Sequence, residues 1–297
     1  MDVAITGASG LIGSALSTAL RARGDRVVTV GRGASSDVRW DPMAGTIDAD
    51  GLAGVDAVVH LAGESLGEKK WTPEQKERIL ESRVRGTELI GTTIAGLAAR
   101  PSVLVSGSAI GFYGDRGDEV LTETSAPPPP GNFLSDVCVA WEAATAPAEA
   151  AGIRTVHLRT GIVLSKQGGA LGRMLLPFKL GLGGRIASGR QYMSWISIDD
   201  EVGAILHAID HDTISGPLNV TGPEPVTNAE LTKAFGRAVH RPTLLPTPLA
   251  PLKVIYGSEL VERVLVEGQR VLPAALEASG FEFGQRTIDE AFATILG

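Results

Sequence analysis

The feature that most constrains the fold is a glycine-rich loop directly after the first apolar segment of the chain. Val3 to Ile5 form a short apolar run, and Gly7, Gly10 and Gly13 follow it at intervals of three residues. Beyond them, apolar residues recur at helical spacing until Gly24, which stops the helix. A strand, a glycine loop and a helix in this order begin a β–α–β unit. We therefore expect a parallel sheet that starts at the first residues of the chain.

Strand-like and helical segments then alternate. Apolar strands are predicted at 26–30, 57–61, 103–105 and 155–158, and helices from Thr72 to about Ala99 and from about Ser135 to Ala150. This alternation predicts an α/β fold with a Rossmann-type, doubly wound parallel sheet. After residue 165 the rhythm changes, which predicts a smaller, mostly helical C-terminal substrate lobe, with a strand near 216–222 that returns to the sheet.

The three glycines also suit one kind of ligand. The first permits a tight turn, the second lets the backbone approach a diphosphate, and the third lets helix and strand pack closely. The helix N-terminus then directs free N–H groups and its positive dipole end at the phosphates. The loop predicts a dinucleotide site; the alternative is a glycine-rich turn without a ligand.

The end of the second strand bears on the choice of dinucleotide. NAD sites usually place an acid there to bind the ribose 2′-hydroxyl. This chain has Val30, Gly31 and Arg32 instead. An arginine can bind a 2′-phosphate through paired donors. We therefore expect NADP(H) rather than NAD; the alternative for Arg32 is a solvated surface residue.

Composition excludes several classes of function. The net charge of −7 and the pI of about 5.3 argue against nucleic acid or an anionic membrane as a partner. Cys138 is the one cysteine, so no internal disulfide forms, and the single cysteine suits a reducing, cytoplasmic location. No apolar run approaches a membrane span, and no cysteine cluster or histidine pair supports a metal site.

Further segments resemble the extended short-chain dehydrogenase/reductase family, the nucleoside-diphosphate-sugar epimerase type. Within it, the chain is most similar to an atypical NAD(P)-dependent branch called "epimerase family protein", which carries its own short C-terminal domain. The segments that support this resemblance are HLAGESLGEKKWT, VSGSAIGFYG, FLSDVCVAWE, LRTGIVLS, GGALGRMLLPFKLGLGG, GRQYMSWISIDDEVGAI and LVEGQRVLPAALEASGFEF.

The resemblance implies which residues hold the cofactor. Ser106 is expected near the nicotinamide. The whole expected cofactor set is Thr6, Gly7, Ser9, Gly10, Leu11, Ile12, Gly13, Arg32, Leu61, Ala62, Gly63, Arg83 and Ser106. The resemblance also suggests a homodimer formed through two helices on one sheet face.

The same resemblance exposes a departure at the catalytic pair. Standard members use Tyr-x-x-x-Lys, in which the tyrosine moves a proton and the lysine lowers the tyrosine pKa. Aligning Glu142 with the family's glutamate places Leu134 at the tyrosine position and Cys138 at the lysine position. Leucine cannot transfer a proton, and cysteine carries no fixed positive charge. Ordinary epimerase chemistry is therefore in doubt.

Three residues are candidates to replace the pair. Ser108 matches the family's active-site serine or threonine, and the alternative is a structural hydroxyl. Tyr113 is either a proton donor or a packing residue under the nicotinamide edge. Cys138 is either a nucleophilic or redox-sensitive thiol with a pKa lowered by a helix N-terminus, or a small buried residue. His60 is expected to end a strand rather than act as a base, and Asp199–Asp200 to cap a helix.

Aromatic and basic residues mark the expected substrate pocket. Arginines there would suit an anionic or nucleotide-linked substrate, and Trp195 would offer a stacking face. The alternative is surface ion pairing plus a core tryptophan. The expected substrate residues are Arg159, Arg190, Tyr192 and Trp195, together with Arg185.

These patterns predict a division of the chain and two functions. Residues 1–165, with 196–222 returning to the sheet, would bind NADP(H). Residues 166–195 and 223–297 would form the substrate lobe, with the family-specific C-terminal domain from about 250. The first hypothesis is an NADP(H)-dependent oxidoreductase or epimerase with a non-standard active site. The second is a non-catalytic NADPH-binding sensor or scaffold.

Overall fold

The computed structural model describes all residues, 1–297, and places eight strands in one central sheet. The chain has fourteen strands in all, and the other six form three two-stranded sheets. The fourteen strands are β1 Asp2–Thr6, β2 Arg26–Gly31, β3 Val38–Asp41, β4 Thr46–Ile47, β5 Ala57–His60, β6 Val103–Ala109, β7 Val120–Leu121, β8 Arg154–Thr160, β9 Ile162–Leu164, β10 Tyr192–Met193, β11 Trp195–Ser197, β12 Gly216–Val220, β13 Val226–Thr227 and β14 Arg270–Val271. The order in the central sheet is β12-β8-β6-β5-β1-β2-β3-β4.

Helices cover both faces of this sheet. They are α1 Leu11–Arg23, α2 Pro73–Gly96, α3 Phe133–Ala143, α4 Ala146–Ala150, α5 Gly169–Lys179, α6 Ile198–Asp210, α7 Asn228–Ala238, α8 Leu249–Tyr256, α9 Ser258–Val261, α10 Ala274–Ala278 and α11 Ile288–Leu296. Short 3₁₀ helices span Ala49–Leu52 and Ile110–Tyr113, and a π-helix spans Glu262–Val266.

Two apolar layers sandwich the sheet. Helices α1 and α6 pack Leu16 and Ile205 against Val3 and Val105 on one face. Helices α2 and α4 contribute to a separate buried cluster on the other face. Every pairing in the central sheet is parallel except that between β3 and β4. The predicted Rossmann-type doubly wound fold is confirmed; the hairpin of β3 and β4 was not predicted.

The strand order reverses its direction between β1 and β5. From β1 the chain proceeds outward to β2, β3 and β4, and it then returns to β5 on the other side of β1. The loops that leave two neighbouring parallel strands in opposite directions open a crevice at the carboxyl ends of the strands. The glycine loop lies at this switch point.

Local sequence signals account for most helix limits, with two differences. Helix α1 ends at Gly24, whose φ of 89° suits glycine. Helix α2 begins after Thr72, whose hydroxyl accepts from the Gln75 N–H, but it ends at Gly96, before the expected Ala99. The helix predicted over 135–150 is two helices, α3 and α4, because Pro147 prevents a continuous ladder of hydrogen bonds.

The C-terminal segment is joined to the core by backbone and side-chain contacts. Strand β14 pairs with β7 in parallel, and the Leu272 N–H donates to the Leu121 carbonyl at 2.9 Å. Asp200 accepts from the backbone N–H groups of Gly284 and Gln285 at 2.7 and 3.1 Å. The prediction that the aspartates cap α6 is wrong, because the Ser197 hydroxyl is the cap. The domain limits stay a prediction.

Two expectations from the sequence concern the location of the protein in the cell and its assembly into a homodimer. No helix combines the length and apolar composition needed to cross a bilayer. The outer face of α2 exposes Glu77, Arg85 and Glu88. The homodimer and the cytoplasmic location stay predictions.

The close packing at Gly13 generates the first test. A Cβ atom there would lie 2.2 Å from the Gly7 carbonyl oxygen, whereas one at Gly96, also helical, would meet nothing within 4 Å. We expect Gly13→Ala to lower the free energy of unfolding by about 1–3 kcal/mol through overpacking. Gly96→Ala should leave it unchanged or raise it by about 0.5–1 kcal/mol. Urea unfolding measures both, and equal effects would contradict the analysis.

Candidate active site

The glycine loop leaves the N-terminus of α1 free. Gly7 has a φ of 70°, and a Cβ atom there would meet Ala62 N and the Leu61 carbonyl carbon at 3.0 Å. Gly10 occupies the N-cap position without a side-chain hydrogen bond, and the first turn has no acidic residue. By contrast, hydroxyls cap α2, α6 and α7. The unpaired N–H groups of α1 therefore suit a phosphate.

The remaining loop residues divide by exposure. Ser9 and Gly10 are exposed, Leu11 and Ile12 are half-buried, and Gly13 is buried against Gly7. A diphosphate could reach the loop backbone at Ser9 and Gly10. These placements agree with the expected phosphate contacts, which stay predictions.

Thr6 ties the glycine loop to the end of β5. Its Oγ1 accepts from the backbone N–H groups of Leu61 and Ala62 at 3.1 Å each and lies 2.8 Å from His60 Nδ1. Thr6 and His60 are both fully buried. The Thr6 side chain therefore supports the crevice, and its expected contact with the cofactor stays a prediction. Burial, with a smaller effect of the Arg83 charge, lowers the pKa of His60 to about 4, so the ring is neutral.

Arg32 lies at the rim of the crevice. It follows the last residue of β2 and is exposed, with no hydrogen bond or ion pair through its side chain. The nearest acid along the chain, Asp37, accepts from the N–H and the hydroxyl of Thr29 at 2.8 and 2.7 Å. No carboxylate therefore neutralises Arg32.

Arg83 lies beneath the loop that follows β5. Its Nη1 donates to the carbonyls of Glu64 and Ile79 at 2.9 and 3.1 Å, and its guanidinium lies 4.9 Å from the Trp141 ring centre. A Cβ atom at the exposed Gly63 would lie 3.3 Å from Arg83 Cζ. Arg83 therefore supports the loop through Nη1; its expected contact with a cofactor stays a prediction.

The two positions of the standard catalytic pair form an apolar wall. Leu134, Cys138 and Glu142 are spaced four residues apart, so they share one face of α3. Leu134 Cβ and Cys138 Sγ would lie 3.4 and 3.8 Å from a Cβ atom at Gly111. Burial raises the pKa of Cys138 to about 12, and the Glu142 charge adds to this. Of the two alternatives for Cys138, this favours the small buried residue over a thiol with a lowered pKa.

The Glu142 carboxylate accepts hydrogen bonds from the polar side chains near this wall. The Ser108 hydroxyl donates to Glu142 Oε1 at 2.7 Å, and Arg159 donates from Nε to Oε1 at 2.8 Å and from Nη2 to Oε2 at 2.9 Å. Ser108 of β6 is paired in register with Arg159 of the neighbouring strand β8. Ser106, two residues earlier on β6, is fully buried. Its position near the nicotinamide stays a prediction.

Tyr113 belongs to the same network but not to the crevice. Its ring is fully buried, and its hydroxyl bonds to Asn219 Oδ1 at 2.6 Å and accepts from Arg159 Nη1 at 3.0 Å. Burial raises the pKa of Tyr113, although the Arg159 charge acts against this. Of the two alternatives for Tyr113, burial favours a packing residue over a proton donor.

The expected substrate residues separate in the structure. Arg159 is buried and its guanidinium is fully engaged, so it is not free for a substrate. Trp195 is fully buried and donates from Nε1 to the Glu224 carbonyl at 3.0 Å, so the expectation of a stacking face is wrong. Arg190 is exposed, and Tyr192 is half-buried beneath the guanidinium of Arg270 at 5.1 Å.

Sequence reasoning missed two titratable groups. Arg270 lies within one of the segments that resemble the family, and its local sequence indicates no role for it. Glu201 lies on the apolar stripe of α6 with Ile205 and Ala208, a spacing that could have revealed its burial. It is fully buried, its Oε1 accepts from Thr160 Oγ1 at 3.0 Å, and its Oε2 has no partner. Burial raises the pKa of Glu201 to about 8.

Comparisons with known proteins cover the whole chain. A profile of the NAD dependent epimerase/dehydratase family matches residues 3–221, and a profile of a domain of unknown function, DUF1731, matches residues 247–295. The epimerase family protein ML0860 of Mycobacterium leprae is 45% identical over 294 residues, which cover 98% of this chain and 94% of that protein. The human epimerase family protein SDR39U1 is 34% identical over 301 residues, covering 100% of both.

Two solved structures are similar to this chain over its whole length. The crystal structure of human SDR39U1 (isoform2) with NADPH matches with a TM-score of 0.92 and 33% identity, covering 100% of this chain and 99% of that chain. A nucleoside-diphosphate sugar epimerase from Corynebacterium glutamicum matches with a TM-score of 0.81 and 38% identity, covering 100% of this chain and 58% of that chain.

The buried carboxyl of Glu201 generates the second test. Unfolded glutamate loses its proton near pH 4.5, whereas the folded protein keeps it until about pH 8. The folded state therefore binds more protons between these values, and its stability falls as pH rises through this window, by about 1.4 kcal/mol per pH unit. Glu201→Gln should remove this slope, whereas Glu88→Gln on the exposed face of α2 should keep it. Urea unfolding at a series of pH values measures it; an unchanged slope in Glu201→Gln would contradict the assignment.

Proposed function

We propose, on the premise that this chain belongs to the NAD dependent epimerase/dehydratase family, that it is an NADP(H)-dependent oxidoreductase with a non-standard proton path. The resemblance to the epimerase family protein branch, including its C-terminal domain, is confirmed by the profile matches and by SDR39U1. The observation that carries the proposal is the Ser108 hydroxyl held on the Glu142 carboxylate at the carboxyl end of β6. The substrate would be a small or nucleotide-linked hydroxyl or carbonyl compound.

The crevice residues fit a nicotinamide dinucleotide. The uncapped N-terminus of α1 offers N–H donors where a diphosphate would lie, and Gly7 and Gly13 keep the loop free of side chains there. The similar human structure contains NADPH. When bound, the cofactor supplies or accepts a hydride at its nicotinamide ring.

Arg32 supports NADPH over NADH. It stands unpaired at the end of β2, and Thr29 engages the neighbouring Asp37. An arginine without an internal partner can give paired donors to a 2′-phosphate, and no acid repels that group. The preference for NADP(H) rests on this arrangement.

The proton would move through Ser108. In the oxidative direction, the substrate hydroxyl gives its proton to Ser108 Oγ as its C–H bond breaks and the hydride leaves. The Ser108 proton passes at the same time to Glu142 Oε1, 2.7 Å away. In the reductive direction, Glu142 returns the proton through Ser108 to the carbonyl oxygen. Arg159 holds the carboxylate in place from the other side.

A histidine offers the continuation of this path to the surface. His157 Nδ1 lies 4.0 Å from Glu142 Oε2, and its Nε2 lies 3.4 Å from Oε1 of Glu149, which is half exposed. Burial lowers the pKa of His157, so a proton received there is readily released. His157 Nε2 also lies 2.9 Å from Thr145 Oγ1. Because 4.0 Å is longer than a hydrogen bond, a proton would pass from Glu142 to this histidine only through a bridging water.

A second function, NADPH binding without turnover, is favoured by a different observation. Leu134 and Cys138 replace the standard pair, and Tyr113 and the Cys138 thiol are both buried. A sensor or scaffold would need the glycine loop and Arg32 but no proton path. The oxidoreductase would convert a substrate with NADP(H), whereas the sensor or scaffold would not, so a turnover measurement distinguishes the two functions.

The cofactor preference gives the third test. We expect NADPH to raise the melting temperature of the wild-type protein more than NADH at equal concentration. Arg32→Ala should remove the difference by weakening NADPH about tenfold or more, because a charge-assisted contact contributes about 1.5–3 kcal/mol. NADH binding should hardly change. Arg116→Ala, which removes an arginine from a surface ion pair, is the control. Equal shifts by both cofactors in the wild type would refute the role of Arg32.

The proton path gives the fourth test. A panel of alcohols with NADP and of carbonyl compounds with NADPH is followed by nicotinamide absorbance. We expect Ser108→Ala to lower turnover about 10²–10⁴-fold, the range for a lost general acid–base group. Tyr113→Phe removes another hydroxyl that contacts Arg159 and should keep turnover, although it lowers stability.

Three outcomes would count against the path. Equal losses in Ser108→Ala and Tyr113→Phe would indicate a structural effect. Full activity in Ser108→Ala would contradict the path directly. No turnover of any compound by the wild type, with NADPH still bound, would favour the non-catalytic function.

A further inference from the structure

We propose that the protein docks on an anionic phospholipid bilayer through a surface of five exposed leucines surrounded by basic residues. This surface, the leucine face, consists of Leu176, Leu180, Leu182, Leu244 and Leu245. The proposal goes beyond the proposed function, because neither the glycine loop nor the Glu142 network includes any of these leucines. It concerns the surface on which the protein works rather than the compound that it converts.

The leucines protrude from the surface of the protein. Leu182, Leu244 and Leu245 are 74%, 88% and 79% exposed, and Leu176 and Leu180 are 66% and 64% exposed. A single exposed leucine is common on a protein surface, whereas several together indicate an interaction site. The next helix, α8, is also mostly apolar and has no buried residue.

The end of α5 brings three of the leucines together. Leu176 and Leu180 are four residues apart, so they lie on the same side of the helix end. The chain then turns back, and the Leu182 N–H donates to the Pro177 carbonyl at 2.9 Å. The three side chains therefore belong to one compact turn.

The segment before α8 adds the other two leucines. A Cβ atom at Gly184 would lie 1.7 Å from the Leu245 carbonyl oxygen, so the two segments are in direct backbone contact. The Thr247 N–H donates to the Arg185 carbonyl at 2.9 Å. Leu244 and Leu245 therefore lie beside the turn at the end of α5, and the five leucines form one surface.

The charge around the leucine face differs from that of the whole chain. The net charge of −7 predicts no anionic membrane as a partner, but it is a sum over all residues. Residues 166–198 contain five lysines and arginines and no acid, and residues 231–258 contain four and no acid. Lys179, Arg185 and Arg241 are exposed in the same two segments as the leucines. Both arginines donate to backbone carbonyls, so no carboxylate neutralises them.

This composition favours a bilayer over a protein as the occupant. A second copy bound through the same surface would place these basic residues opposite each other, with no acid between them. Protein interfaces are enriched in aromatic residues and depleted in lysine. The exposed residues of the two segments, 176–182 and 241–246, include leucine, proline, lysine and arginine but no aromatic residue. Aliphatic side chains enter the acyl–headgroup boundary of a bilayer, and lysine and arginine bind anionic headgroups.

Helix α5 connects the leucine face to the cofactor crevice. A Cβ atom at Gly169, where α5 begins, would lie 3.3 Å from Leu11 of the glycine loop. Arg173 donates from Nη1 to the Gly67 carbonyl, in the loop after β5, at 2.8 Å. Leu176 lies about 10 Å farther along the helix. Docking through the leucine face would therefore hold the crevice close to the bilayer surface.

Cosedimentation of the full chain with lipid vesicles tests the proposal. One set of vesicles contains phosphatidylcholine alone, and the other an equal mixture of phosphatidylcholine and phosphatidylglycerol. We expect binding to the mixed vesicles at low ionic strength and much weaker binding to phosphatidylcholine. Binding should fall as salt is added, because salt screens the attraction between the basic residues and the headgroups.

Variants connect the binding to the leucine face. The double variant Leu244→Ser, Leu245→Ser should bind the mixed vesicles at least about tenfold more weakly, because burial of each leucine favours binding. Met43→Ser changes a half-exposed apolar residue between β3 and β4 and should have no effect. Lys179→Gln should weaken binding about fivefold, the effect of one basic residue near an anionic bilayer. Arg39→Gln, on the exposed side of β3, removes one positive charge as a control.

Several results would overturn the proposal. They are no binding of the wild type to either kind of vesicle, equal binding to both kinds, and losses in Met43→Ser or Arg39→Gln as large as those in the face variants. Sedimentation velocity covers the second copy: a wild-type dimer that dissociates in the double leucine variant would assign the face to self-association instead. The NADPH-induced rise in melting temperature, measured for each variant, shows that the fold and the crevice are intact. Failure of vesicle binding leaves the oxidoreductase proposal untouched.

Discussion

One buried hydroxyl, that of Thr6, holds the two sides of the crevice together. It accepts from the backbone N–H groups of Leu61 and Ala62, and it lies within hydrogen-bond distance of the neutral ring of His60. These bonds bring the loop after β5 against Gly7, where a Cβ atom would lie only 3.0 Å from Ala62 N and the φ of 70° also favours glycine. The Leu61 N–H also reaches the Thr6 carbonyl oxygen at 3.3 Å. Loss of the hydroxyl would therefore leave the Ala62 N–H without its acceptor, which is costly in a partly buried loop. The geometry of the diphosphate site depends on this contact.

In standard family members, the helix that corresponds to α3 carries the catalytic tyrosine and lysine and then a glutamate. This chain has the glutamate, Glu142, but neither the tyrosine nor the lysine. Leu134 and Cys138 pack on Gly111, and the first acid on that face is Glu142, one turn deeper. Arg159 would be an unpaired buried cation without that carboxylate, which would be strongly destabilising. The ion pair therefore serves stability as well as any proton transfer, and it explains why Arg159 is not available to a substrate.

The C-terminal segment completes the molecule by closing onto both halves. Its strand β14 lies beside β7, Asp200 binds its backbone near Gly284, and Gly268 lets it lie against Tyr192. These contacts place Arg270 and Val271 of β14 beside β7.

The sequence by itself determined the alternation of strands and helices, the glycine loop and the family. These depend on local signals, namely apolar periodicity, glycine spacing and helix caps, which act over a few residues. It also predicted that the standard catalytic pair is absent. Counting back from Glu142 along one helix is enough to place Leu134 and Cys138 at the two positions.

Only the tertiary structure decided which polar side chains are free. Arg32, Arg159 and Arg270 look alike in the sequence, yet one is exposed, one is bound to Glu142 and one is partly buried without an acceptor. The fully buried Trp195 and the raised pKa values of Cys138 and Glu201 were equally out of reach of the sequence. Burial and pairing depend on residues far apart in the chain, such as Glu142 with Arg159 or Gly268 with Tyr192. No local pattern encodes those contacts.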